Sequence, residues 1–268
     1  MNMLNLPMAI LWLALGIVRI DGTNPSGGNP PMIHAFGGQP VKVELAIETP
    51  GGNAVEVRAD LYQKGQSLLA PLQKDIAVAK AAHSGESPAF RPLVSWTLPV
   101  PEVKRETQMM ARFRVTTDGT TWTPAGQILM TAYPAGFAKQ ELAAFGKTPG
   151  LHVFGGGKQL RDFLQTQKVE FDDAGEGLSA LPQSPDDPGI YIGDATSREL
   201  ADWLGTHPGW RGNLVVFCSD SALLPGVFVT AQSGFRTIKV TLPLLDTLSG
   251  DPRSQKTLLE ILTTITTP

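Results

Sequence analysis

Residues 214–220 read Leu-Val-Val-Phe-Cys-Ser-Asp. Four apolar side chains in succession do not alternate between core and solvent. They suit a strand buried on both faces of a parallel sheet. The run stops at Cys218, Ser219 and Asp220, where a strand would turn into a helix. Upstream, Leu151-His152-Val153-Phe154 and Ile190-Tyr191-Ile192-Gly193 are two more short apolar runs, with Val169-Glu170-Phe171 as another strand candidate. Between them, Gln159 to Gln165 sets Leu160, Phe163 and Leu164 on one helical face. Thr196-Ser197-Arg198-Glu199 forms a capping box ahead of Leu200, Trp203 and Leu204. Downstream, Val227 to Thr230 and Arg236 to Leu242 lie on either side of Gly234. Ser254 opens a last helix with Leu258, Leu259, Ile261, Leu262 and Ile265. This succession predicts a small α/β open sheet with right-handed crossovers over residues 149–268. Phe137 to Phe145 is expected as a short connecting helix within 135–148, ended by Gly146 and Pro149.

Ahead of it the periodicity is two. Val41, Val43, Leu45 and Ile47 alternate with Lys42, Glu44 and Glu48. Val55 to Leu61, Val94 to Leu98 and Ala111 to Val115 alternate likewise. Ile76 to Val78 and Ile128 to Tyr133 add two further strands. Turn signals fall at Pro50 to Asn53, at Lys64 to Gln66 and at Asp118-Gly119. These features predict an antiparallel β-sandwich of immunoglobulin-like type over 38–134. Trp96 and Trp122 read as core anchors, with exposed sugar-stacking platforms as the alternative.

Met3 to Val18 carries no charge, and Arg19 and Asp21 end it. Residues 1–20 read as a signal peptide or membrane anchor, with Ala14-Leu15-Gly16 as a small-residue cleavage motif. A basic n-region is missing, and the run is short for a spanning helix. The alternative is a buried N-terminal segment of a cytoplasmic protein. Residues 21–37, rich in Gly, Pro, Asn and Ser, read as a linker.

Over all 268 residues, apolar types make up 42% and charged types 18%, which excludes general disorder. A net charge of −3 argues against nucleic acid as a partner. The single cysteine excludes an internal disulfide and a Cys-based zinc site. Residues 149–268 hold 9 basic and 14 acidic residues, a net of −5, so the acidic surplus lies with the α/β half.

In open α/β sheets ligands bind beyond the carboxyl ends of the strands. Gly155, Gly156 and Gly157, with Ser219, are therefore the ligand-binding candidates, as a glycine turn that an anion could approach. The glycines match neither a P-loop nor a dinucleotide fingerprint. Asp173, Asp194 and Asp220 are candidate oxygen ligands for Mg²⁺ or Ca²⁺, with helix capping as the competing role. Cys218 is the candidate nucleophile. It needs a base, and His207 or His152 are the partners on offer, since no histidine follows His207. A buried, inert thiol is the alternative.

The layout of Leu151–Gly157, Ile190–Asp194 and Leu214–Asp220 resembles the class I glutamine amidotransferase-like family. The resemblance implies a Cys at the turn after a strand, completed by a downstream His and Glu. Cys218 occupies that place and the downstream His is absent, which implies a degenerate, non-catalytic relative. Thr237–Leu245, Asp251-Pro252 and Leu258–Ile265 are similar to the tail of such domains appended to bacterial β-galactosidase-like glycosidases, whose sandwich modules the strand ending Ala132-Tyr133-Pro134 also resembles. This implies an accessory region without the catalytic barrel.

Three functions stay open. One is a non-catalytic, exported or membrane-tethered binding or assembly protein, its partner an envelope or secreted protein or a glycan, with the N-terminal segment contacting membrane. The second is a small Cys-dependent hydrolase or amidotransferase using Cys218. The third is a carboxylate-metal or anion-binding α/β domain. None of the motifs calls for a cofactor.

Overall fold

The computed structural model describes residues 2–3, 17–21, 32–48, 55–65, 68–81, 93–182, 189–218, 220, 226–232 and 235–267. The apolar stretch 4–16, the turn at 50–53 and Ser219 lie outside the described residues. The chain divides into two compact units, one within Ala9–Ala135 and one of Gly136–Pro268 joined by N-terminal residues.

The first unit is a sandwich of two sheets. The smaller sheet orders β2 (Ile17–Asp21), β4 (Val41–Glu48) and β7 (Leu93–Leu98). The larger orders β3 (Met32–Phe36), β9 (Thr123–Tyr133), β8 (Thr107–Thr116), β5 (Val55–Lys64) and β6 (Leu69–Ala81). Alternation along each strand sends Val43, Trp96 and Leu98 of one sheet against Val57, Ala59, Leu61, Phe113, Ile128 and Met130 of the other. Trp96 is a core anchor and meets Phe113 edge to face at 5.5 Å. Trp122 is not in that core. It lies half-buried beneath the guanidinium groups of Arg58 and Arg114, 4.6 and 5.6 Å from the ring centroid.

Two expectations change here. Residues 32–36, inside the stretch read as linker, form β3, and residues 17–21, where the stretch read as leader gives way to the linker, form β2. Both pair in parallel, β2 with β4 and β3 with β9, so the sandwich is only partly antiparallel. Met-Ile-His-Ala-Phe has strand composition, but glycines and prolines on both sides hide it. What orders it is a ladder of hydrogen bonds from a strand far along the chain.

The second unit is a seven-stranded mixed sheet. Its order is β1 (Asn2–Met3), β14 (Val227–Gln232), β15 (Phe235–Val240), β13 (Asn213–Cys218), β12 (Ile190–Ala195), β10 (Leu151–Phe154) and β11 (Asp172–Gly175). The five strands from β15 to β11 are parallel, β14 runs against them, and β1 pairs antiparallel with β14 at that side of the sheet. Helices α1 (Phe137–Phe145), α2 (Lys158–Thr166), α3 (Ser197–Thr206) and α4 (Pro252–Thr266) complete the unit. Leu214, Val216 and Cys218 pack with Leu200 and Trp203 of α3. Val215 and Phe217 alternate to the opposite face. The strand expected at 169–171 forms three residues later, at Asp172–Gly175, because the non-glycine Lys168 takes a left-handed φ of 56° and Val169 is drawn into the core.

Candidate functional site

The chain leaves β10 toward β11 on one side of the sheet and β12 toward β13 on the other. The strand order therefore reverses between β10 and β12. The crevice at their carboxyl ends is where an open α/β sheet takes a ligand. Gly155, Gly156 and Gly157 lie there, between β10 and the start of α2. The place is filled from within. The Asp194 carboxylate, at the end of β12, accepts the Gly157 N–H at 2.8 Å. Gly155 has a φ of 80°, and a Cβ built on it would collide with Asp194. A Cβ on Gly157 would stand 2.9 Å from the same oxygen. The glycines admit the protein's own carboxylate to the positive end of α2, where an external anion would otherwise bind.

The next strand repeats the arrangement. Asp220, after β13, accepts the backbone N–H of Ser197 at 2.8 Å and its hydroxyl at 2.8 Å. Those donors hold the Asp220 carboxyl below the usual carboxylate range. Thr196 and Glu199 complete the capping box seen in the sequence, with bonds of 3.1 and 2.7 Å. Asp173 accepts the Gly175 N–H and pairs with Arg161 at 3.1 Å, which lowers its pKa also. Asp173, Asp194 and Asp220 are thus each engaged by N–H donors. Among the described residues no group of three His, Cys, Asp or Glu side chains converges on a point that would hold a metal.

Cys218 ends β13, 5% exposed, against Leu200, Trp203 and Val216. Burial pushes its thiol above the usual range and outweighs the pull of Ser197 and of Lys239 toward the thiolate. Ser197 gives its hydroxyl proton to Asp220, and a carboxylate held that low is a poor acceptor for a thiol proton. The histidines lie elsewhere. His152 stands in the row of Tyr191 and Leu214, whereas Cys218 is level with Ala195. The two rows are four residues apart, about 13 Å along the strands. His152 stacks on Tyr191 at 4.7 Å and faces Asp172 at 3.6 Å. His207 closes the far end of the ten-residue α3, about 15 Å from Ser197. Its ring stacks on Trp203 at 4.6 Å. The structure therefore does not bring Cys218 together with either partner proposed from the sequence.

Sequence reading missed a charged cluster in the first unit. Asp60 is buried and accepts from Arg114 at 2.9 Å and from the Asp75 backbone N–H at 2.9 Å. Asp75 has a φ of 56° in an irregular stretch of β6 and also binds Arg114, at 2.9 Å. The only sequence signal was an aspartate within the alternating run Val55 to Leu61.

No protein-family model and no curated protein matches the chain. Solved structures similar to it include the natural killer cell receptor NKp44, 9% identical over 39% of this chain and 99% of that one, with a TM-score of 0.25. Murine CRIg is 8% identical over 40% of this chain and 94% of that one, at 0.25. The CsuC–CsuE chaperone–tip adhesion subunit complex of Acinetobacter baumannii is 17% identical over 39% of this chain and 49% of that one, at 0.25. Among the described residues no helix is long and apolar enough to cross a membrane.

Proposed function

We propose that the protein is a non-catalytic binding or assembly module, exported or tethered to a membrane, whose partner is an envelope or secreted protein or a glycan. The observation that carries this reading is the setting of Cys218. Its sulfur is buried against Leu200, Trp203 and Val216, with its pKa raised, with His152 four residue rows away along the sheet and with His207 at the far end of α3. The order of the five parallel strands, β11-β10-β12-β13-β15, supports a flavodoxin-type sheet as the framework. Within that framework, a degenerate amidotransferase-like domain is the finer reading. The apolar run Met3 to Val18 supports export or tethering.

Alkylation of the native full chain by iodoacetamide at neutral pH tests the reading. Cys218 is expected to react only at the rate at which the unit opens, and at full rate in denaturant. Rapid stoichiometric alkylation of the folded protein would restore the Cys-dependent enzyme. Calorimetric titration with Mg²⁺ or Ca²⁺ is expected to give no binding heat, because the three aspartates are held by their own backbone and side-chain donors.

A further inference from the structure

The two sides of the α/β sheet are built differently. At one side lies β11, which carries the exposed Asp172 and Asp173 and pairs with β10 through a register shift. Charge and irregularity of this kind keep a bare edge from pairing with another chain. Toward the other side lies β14, which reads Val-Phe-Val-Thr-Ala-Gln over 227–232. It holds no charged residue and no proline, and it matches β15 over six successive rows without a bulge. In sequence and in register it is a strand suited to accept a further one. What stands against it is β1. Asn2 pairs with Val229 and Met3 with Phe228.

β1 is short but centrally placed. Of the six rows of β14 it takes two, so that Val227 on one side and Thr230 to Gln232 on the other have no described strand beside them there. The longest run left over is three residues, Thr230 to Gln232. An ordinary strand has about five or six. With β1 in place, no continuous edge of that length is on offer. Without it, all six residues of β14 are. An antiparallel edge strand can pair with its own copy across a two-fold axis, and every copy of the chain presents the same edge. A strand free of charge does so without setting like charges opposite one another.

We infer that β1 is an edge guard: Asn2 and Met3 keep β14 from pairing antiparallel with β14 of a second copy, and their release allows that dimer. The same two residues open the stretch read as a leader, so a chain whose N-terminus is taken up by a membrane or removed presents β14 uncovered. That consequence rests on the export reading, and the guard itself does not. The test is sedimentation velocity of the full chain as wild type, as Asn2→Asp/Met3→Pro, and as that variant with Thr230→Lys added. Wild type is expected to sediment as a monomer. Loss of the two pairings is expected to strengthen dimerisation by about tenfold or more. Thr230→Lys, at an exposed position of β14, brings like charges near the two-fold axis and is expected to abolish the gain. All three chains keep residues 4–16, so association through that apolar run is common to them. Hydrogen exchange reads the same event at the strand itself. In the Asn2→Asp/Met3→Pro variant, the β14 N–H groups that face away from β15 are expected to lose protection at low protein concentration and regain it at high. The inference is overturned if this variant sediments as wild type does, if Thr230→Lys leaves its dimer intact, or if protection of β14 does not change with concentration. A strand of a different protein as the true partner would give the first of these results. None of the readings depends on export, so their failure is separate from a failure of that proposal.

Discussion

In the sandwich unit charged side chains meet across strands, with Arg114 reaching Asp60 from β8 to β5 and Asp75 on β6. In the second unit they meet helix ends, with Asp194 on α2 and Asp220 on α3. The first arrangement sets its charges across the larger sheet, from β8 over β5 to the edge strand β6. The second places a carboxylate from the neighbouring strand of the sheet into each of two positions where an open α/β sheet would receive an anion. Similar polar chemistry is therefore used differently: in the sandwich it ties three strands together, and in the second unit it closes two helix ends from inside.

Gly155→Ala strikes the closed region hardest. It forces a side chain into a left-handed φ and against Asp194, and about 3 kcal/mol of stability is expected to go, read by urea unfolding. Hydrogen exchange is expected to place the loss in β10, α2 and β12. If the loss spreads evenly over both units, the contrast between them is broken. Asp60→Ala is the matching test in the sandwich. It strands the Asp75 N–H and leaves Arg114 with Asp75 alone, and about 2 kcal/mol is expected, below the full range for a buried pair because the Arg114 side chain is 30% exposed and keeps that second partner. Asp194→Ala removes one helix cap at a cost of about 1 kcal/mol. It sharpens the comparison by opening the glycine turn, and phosphate is then expected to raise the melting temperature of this variant and not that of wild type.

Acid gives the smallest and most selective effect. Asp173, Glu199 and Asp220, all in the second unit, have folded pKa values below their unfolded ones, chiefly through backbone N–H donors. Their contribution is complete above the unfolded pKa, near 4, and disappears as pH falls through the lowered folded values. In the described part of the sandwich, Asp118 is lowered as well, chiefly by the Thr121 and Thr120 N–H groups. Below about pH 4 the protection of β12, β13 and α3 is expected to fall before that of β5 and β8. The reverse order would contradict this assignment of the acid-sensitive groups.

Local patterns were legible in the sequence and distant ones were not. The capping box at Thr196 and Glu199 spans three residues and is present as read. Helix α1 occupies the nine residues its pattern marks, and Leu214 to Phe217 form the buried strand their continuity implies. β3 was hidden because its neighbours in sequence argue for a loop, and only β9 makes it a strand. The role of Asp194 was hidden because the N–H it accepts lies 37 residues away. Alternation puts Arg58 and Asp60 on one face of β5, but it cannot show that a left-handed Asp75 turns its N–H onto Asp60. Legibility ends where a residue's partner is set by the path of the chain.

The parallel pairing of β3 with β9 also governs when the first unit can be finished during synthesis. Met32 is matched to Leu129, a separation of 129 − 32 = 97 residues. The β5–β6 hairpin can close soon after it leaves the ribosome, and β8 can join it next. β3 must wait, its polar edge unsatisfied, until the residues up to Tyr133 have emerged. Until then the nascent chain exposes two open strand edges, so late-arriving β9 is the step at which a chaperone or an intermolecular error would compete.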